Sequence, residues 1–284
     1  MNLWSVIPAQ NEERTIAHVI ANCLAAGSTR VIVVCNGTSD GTLGIVQNYP
    51  DKRVAAYWEP EPLGIDVPRA IGALIAYTEG ADAIMFCDGD LSGNLAGHLS
   101  SLFASIAWEY HVSLTDCYPR GLPYGGMAGR VIQSRLDLNR VIGRQDLGAA
   151  VMSHGPSCIS RRFMDCLPCQ ALAIPPLAQA LAVKEGLNVR IGASLAHGLL
   201  GSRERQGDHP DKIADLIIGD CILAKSVFDG CLPARCENRR PYIGLDSKRR
   251  WGLLRYHIDS ITSGNTTRSG NTIRPSKPPT LTAS

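Results

Sequence analysis

Asp88 and Asp90, one residue apart, close an apolar run, Ala83-Ile84-Met85-Phe86-Cys87, that reads as a buried strand. A carboxylate is too costly to bury without a partner, so acids at a strand end mark an exposed place in the fold. With both side chains turned to one point, the natural partner is a divalent cation, because hard cations prefer carboxylate oxygens. A cation so held can clamp a diphosphate. Asp-Gly-Asp is also good turn chemistry, and the tripeptide alone does not separate a site from a polar turn.

The elements that must position these acids alternate strand and helix. Leu3–Ile7 reads as a first strand, and Asn11 is placed to cap a helix over Glu12–Ala26, with both glutamates in the first turn where the helix dipole favours them. Val31–Cys35 is a continuous β-branched run, as a central parallel strand requires. The polar loop Asn36–Gly41 leads to a short helix ending near Asn48, then Val54–Tyr57 reads as a weaker strand and residues 66–79 as helix. This rhythm predicts an α/β fold with a mostly parallel open sheet and helices on both faces.

Ligands of such sheets bind beyond the carboxyl ends of the strands. Pro8–Glu13, Asn36–Gly41 and Asp88–Gly93 all follow strands of one sheet, so they converge on one crevice, which favours a site over a turn. No GxGxxG follows the first strand and no Gly-Lys-Ser/Thr occurs anywhere, so a dinucleotide fingerprint and a P-loop are both missing. Two carboxylates opening the first helix would repel a phosphate. The first loop therefore suits a base or ribose, and phosphates belong beside Asp88 and Asp90.

Beyond the acids, 95–107 reads as helix, Tyr110–Thr115 as strand, Gly121–Gly129 as a flexible loop and Val131–Ile142 as helix. Pro156–Ile159 and Asn188–Leu195 read as strands, Pro176–Glu185 as helix, and a last helix follows Pro210. Apolar residues nearly vanish from about Ser260, so residues 259–284 are expected to form a disordered tail. A net charge of +2 gives no field to attract nucleic acid. No apolar run reaches the ~18 residues of a membrane span, and no signal peptide opens the chain, so a cytoplasmic protein with reduced thiols is expected. Cys166-Leu167-Pro168-Cys169 and the looser pair Cys231 and Cys236 read as ordinary thiols rather than a zinc site.

Val6–Glu13, Val33–Thr42 and Phe86–Leu91 resemble, in order and spacing, three signatures of the family 2-type glycosyltransferases of the GT-A fold, the Rossmann-like nucleotide-diphospho-sugar transferases. Likeness is greatest to the dolichyl-phosphate mannosyltransferase and glucosyl-3-phosphoglycerate synthase branches, and it covers about residues 1–95. The resemblance implies that Pro8, Ala9 and Glu12 hold the nucleoside, that Asn36 and Gly37 lie near the base, and that Asp88 and Asp90 bind Mg2+ or Mn2+ with the donor diphosphate. It implies a nucleotide-sugar-binding half over 1–95 and an acceptor-binding half over 96–258, where Gly155–Arg162 resembles the acceptor-side segment. A late histidine is a further metal ligand in some members; His209 is the first candidate and His197 the second.

Two departures from the family follow. A basic element is usual near position 65, and Gly64-Ile65-Asp66 has none, which leaves Arg69 as a substitute. Acceptor-deprotonating members carry a carboxylate pair where this chain has Ala173-Ile174-Pro175-Pro176. An acceptor that is already an anion needs no base, and neither does a retaining mechanism. Arg203 and Arg205 sit in a glycine-flanked loop suited to close on the donor diphosphate or an acidic acceptor, so Arg203 joins Asp90 as a catalytic candidate. Lys248-Arg249-Arg250-Trp251 is a basic-aromatic cluster suited to a membrane surface or an anionic acceptor. The expected reaction is transfer of a sugar from a UDP- or GDP-linked donor to a small phosphorylated or carboxylated acceptor. Open alternatives are a polyprenyl-phosphate acceptor, a nucleotide-binding module without turnover, and a sugar-phosphate nucleotidyltransferase. A homodimer is compatible with the sequence.

Overall fold

The computed structural model describes residues 1–123, 125–202 and 209–276, the last stretch from the backbone of His209 onward. In chain order the elements are β1 (Leu3–Ala9), α1 (Ile16–Ala25), β2 (Arg30–Asn36), α2 (Thr42–Gln47), β3 (Val54–Glu59), α3 (Val67–Thr78), β4 (Ala83–Phe86), α4 (Ala96–Ala107), β5 (Val112–Asp116) and α5 (Gly126–Val141). There follow β6 (Ser157–Ser160), α6 (Arg161–Cys166), α7 (Pro175–Lys184), β7 (Val189–Ser194), α8 (His209–Phe228), β8 (Cys236–Glu237), β9 (Arg240–Pro241), α9 (Trp251–Thr262), β10 (Thr266–Ser269) and β11 (Thr272–Pro275). The main sheet has nine strands in the order β10-β11-β3-β2-β1-β4-β6-β5-β7. Within it β6 runs antiparallel to β4 and β5, and β10 antiparallel to β11; the other pairings are parallel.

The β-branched run of β2 explains why this sheet has two covered faces. Side chains alternate along a strand. Ile32 and Val34 enter one core with residues of α3, α7 and α9, while Val31, Val33 and Cys35 enter the other with residues of α1 and α4. Gly72 lets α3 lie close on the sheet, since a Cβ there would stand 2.3 Å from Val6 Cγ1. That packing fixes Arg69, nearly one turn earlier in α3, beside the carboxyl ends of β1 and β4.

Three expectations need correction. The first helix begins at Ile16, not Glu12. Asn11 adopts φ 59° and does not cap; its Oδ1 accepts from Ser39 N at 2.8 Å. Glu12 N donates to Thr42 Oγ1 (2.7 Å) and Gly41 N donates to Glu13 Oε2 (2.9 Å), so these residues tie the first loop to the second. The expected loop over Gly121–Gly129 gives way to helix already at Gly126.

The third correction is the tail. Residues 259–276 are not disordered: they complete α9 and form the hairpin β10–β11. The little apolar surface present is well placed, with Leu253 and Leu254 of α9 fully buried and Ile273 of β11 nearly so. Tyr57 Oη and His257 Nδ1, both buried, lie 2.8 Å apart and pin α9 to β3. β11 pairs with β3 through Thr272↔Ala56 and Ile273↔Tyr57, occupying an edge that would otherwise present unpaired backbone groups. Composition underestimated this segment because the sheet edge supplies hydrogen bonds that do not depend on side-chain type.

Candidate functional site

Beyond the carboxyl ends of β1, β2 and β4 opens a cavity of about 760 Å3. Pro8, Ala9, Glu12, Asn36, Arg69, Asp88 and Asp90 all line it, so the structure gathers most of the residues expected from the sequence. Gly37 is not on its wall; it adopts φ 56° and packs against Pro62, where a Cβ would stand 2.6 Å from Pro62 Cγ. Arg203 and Arg205 lie outside the described residues, as does the side chain of His209, whose backbone opens α8.

The Asp88–Asp90 turn is braced from below. Gly89 N donates to Pro8 O at 3.1 Å, and Thr15 Oγ1 donates to Gly89 O at 2.7 Å. A Cβ on Gly89 would stand 2.9 Å from Pro8 O, so a glycine is needed for the two acids to ride directly over the end of β1. Asn36 is buried and acts as a strut. Its amide donates to Ala9 O (3.1 Å) and its Oδ1 accepts from Leu63 N (3.2 Å), which joins the first loop to the segment after β3.

Arg69 is the central cation. Its guanidinium is 4% exposed, donates through Nη2 to Asp88 Oδ1 (3.0 Å) and through Nη1 to Met152 O (3.1 Å), and lies 5.1 Å over the Phe86 ring. The expected substitute for the missing basic element is thus a buried brace that holds Asp88 in place and pins the 151–156 loop. Asp88 keeps a side chain 45% exposed.

Sequence reasoning missed a second cluster. Arg249, with no exposed side-chain surface, donates from Nη1 and Nη2 to Asp220 at 2.9 and 2.7 Å, and from Nη1 to Asp246 at 2.8 Å. It also reaches Asp66 Oδ2 (3.4 Å) and the Ile65 carbonyl (3.3 Å). Arg235 pairs with both Asp220 and Asp246. Of the basic-aromatic cluster Lys248–Trp251, Arg249 is locked inside, Arg250 pairs with Glu61 at 2.9 Å, Lys248 and Arg250 line the cavity, and Trp251 is exposed. No sequence signal marks this cluster, since its members lie up to 183 residues apart.

Asp66 is the least well held of these acids. Its contacts to Arg249 and Arg69 are long, 3.4 and 3.6 Å. Burial pushes its carboxyl up to about 6, with Arg69 and Arg249 opposing the rise and the Asp220 and Asp88 charges adding to it. A folded value above the unfolded one, about 3.9, means that the protonated form favours folding. That contribution is complete below about pH 4 and is lost as pH rises through about 6. Asp66→Asn is expected to remove the dependence without disturbing the left-handed backbone (φ 63°), which Asn tolerates. Melting temperatures of both proteins across this range check it; parallel curves would refute the assignment.

His197, the second metal candidate, is not on the cavity wall. Its Nδ1 is 3.1 Å from His154 Nε2, and both rings stack with Tyr118. Burial, with the nearby Arg135 charge, lowers the pKa of His197 and lowers that of His154 further. Among the described residues no group of three or more His, Cys, Asp or Glu is arranged to hold a metal ion. None of their helices is long and apolar enough to cross a membrane.

Residues 5–164 match the family model described as Glycosyl transferase family 2. No curated protein matches the chain. Glucosyl-3-phosphoglycerate synthase from Mycobacterium tuberculosis, crystallised with Mn2+, uridine diphosphate and phosphoglyceric acid, is 21% identical, with 81% of this chain and 79% of that one covered and a TM-score of 0.57. Its complex with Mn2+, uridine-diphosphate-glucose and phosphoglyceric acid gives 0.58 at 20% identity, covering 81% and 80%. Its complex with Mg2+ and uridine diphosphate gives 0.57 at 20% identity, again covering 81% and 80%. At such identity the structural likeness speaks for the fold, while the family match spans more than half of the sequence. The chain belongs to glycosyl transferase family 2 and is a glycosyltransferase of the GT-A fold.

Proposed function

We propose that this glycosyltransferase moves a sugar from a UDP- or GDP-linked donor to a small phosphorylated or carboxylated acceptor, with Mg2+ or Mn2+ held at Asp88 and Asp90. The observation that carries the reading is the convergence of Asp88, Asp90, Glu12 and Asn36 on one cavity wall at the carboxyl edge of the sheet. Two carboxylates suit a hard cation that takes its remaining ligands from substrate phosphates and water. Arg69 engages one oxygen of Asp88, which fixes that carboxylate and leaves its second oxygen without a partner among the described residues. When bound, the cation offsets charge on the departing nucleoside diphosphate.

The chain's own residues do the remaining work. Pro8, Ala9, Glu12 and Asn36 form the wall for the nucleoside. Residues 1–95 serve mainly the donor and 96–258 mainly the acceptor, with Ile213, Leu216 and Ile217 of α8 covering the cavity from the acceptor side. Ala173, Ile174, Pro175 and Pro176 are buried and offer no carboxylate, in keeping with an acceptor that arrives as an anion. The solved complexes of the similar synthase with phosphoglyceric acid support that acceptor class.

The test is incubation with Mn2+ and a panel of UDP- and GDP-sugars, with and without small anionic acceptors, measuring nucleoside diphosphate release. Acceptor-dependent release from one donor is the expected result. Binding without release across the panel would identify a module without turnover, and pyrophosphate exchange a nucleotidyltransferase; either would overturn the reading.

A further inference from the structure

The cavity wall carries Glu12, Asp66, Asp88, Asp90 and Asp220, and an anionic donor must enter beside them. Asp220 is held by Arg249 and Arg235, and Asp66 and Asp88 by Arg69, so these arginines are already engaged. Of the cavity's cations, Arg69 is buried and committed to Asp88 and Asp66, and Arg250 is paired with Glu61. Lys248 is different: it is exposed on the cavity wall and makes no ion pair among the described residues.

The backbone holds Lys248 in that place. Gly64, at φ 85°, packs so tightly on it that a Cβ would stand 2.1 Å from the Lys248 carbonyl oxygen. Arg250 N donates to Leu63 O at 3.0 Å. Between them, Arg249 is clasped by Asp220, Asp246 and Asp66, so the residue before it has little freedom in its backbone position. The segment after β3 carries Gly64-Ile65-Asp66, an acid and no base, and Lys248 lies directly against it.

We propose that Lys248 binds the diphosphate of the nucleotide-sugar donor, supplying from the far end of the chain a positive charge that the segment after β3 lacks. This rests on the donor class proposed above. A lysine ammonium is a compact point charge on a flexible stem, suited to follow phosphate oxygens as the leaving group departs. Arg249 is then a positioning residue, and Lys248 the contact.

Calorimetric titration tests the assignment. Wild type, Lys248→Ala, Lys248→Gln and Lys248→Arg are titrated with UDP and GDP in Mg2+, and with uridine, guanosine and inorganic pyrophosphate. For whichever nucleoside diphosphate the wild type binds, both neutral variants are expected to weaken affinity about tenfold, the loss of one charge-assisted contact. Both should also weaken pyrophosphate, leave the matching nucleoside unchanged and keep the wild-type melting temperature, while Lys248→Arg should stay within about threefold. Unchanged diphosphate affinity in the neutral variants would overturn the inference and leave the donor reading standing. An equal loss for nucleoside and diphosphate would also overturn it, by assigning Lys248 to cavity shape. Wild type that binds neither UDP nor GDP would defeat the donor reading and this inference with it.

Discussion

Asp90→Ala is expected to slow nucleoside diphosphate release by about 10²–10³-fold, the usual loss when one group stabilising developing charge is removed. The variant should also need more Mn2+ to reach half its maximal rate, because a hard cation loses a carboxylate oxygen. Thermal stability should change little, since Asp90 is only half-buried on the cavity wall. Asp88→Ala should behave differently. Asp88 holds the nearly buried Arg69, so its removal leaves a guanidinium short of its closest carboxylate and costs stability as well as rate. Rates against metal concentration, with a melting curve for each variant, separate the two acids. Full activity in Asp90→Ala would refute the metal assignment.

Arg249→Ala is expected to destabilise the fold by about 3–5 kcal/mol, the typical cost of breaking a buried ion pair from one side. Asp220, 3% exposed at its side chain, would keep only Arg235, and Asp66 would lose one of its two long contacts. For a chain of this size such a loss lowers the melting temperature by roughly 5–8 °C. Arg249→Lys should recover little of it. One ammonium cannot reproduce the donation of three guanidinium nitrogens to Asp220, Asp246, Asp66 and the Ile65 carbonyl. Thermal melts of both variants check this; a shift under about 2 °C in Arg249→Ala would show that the cluster is not what joins α8, the segment after β3 and the C-terminal region.

The two predictions fall on opposite sides of what was legible in the sequence. The strands that deliver the three polar loops announce themselves because a central parallel strand is buried on both faces, and Val31–Cys35 and Ala83–Phe86 are accordingly unbroken apolar runs. The polar loops behind them are local too, and each follows its strand at once. Asp88, Asp90, Glu12 and Asn36 could therefore be assigned to one sheet edge before any coordinates, and they share one cavity wall. The start of α1 was misplaced because Asn11, Glu12 and Glu13 carry good helix-opening chemistry, and the competing use of their polar groups, tying the first loop to the second, is a contact across about 28 residues.

What sequence determined by itself was the frame: a doubly covered, mostly parallel sheet, three loops at its carboxyl edge, and two carboxylates in one of them. Periodicity and turn chemistry encode these because they depend on neighbours along the chain. Only the tertiary structure decided which charges meet. It paired Arg69 with Asp88, drew Arg249 to Asp66 and Asp220, placed Lys248 on the cavity wall and ordered a polar C-terminal hairpin on the edge of β3. An arginine has the same composition whether it is solvated or buried. Its role is fixed by whichever carboxylates folding brings within reach, and here those come from segments that no local pattern connects.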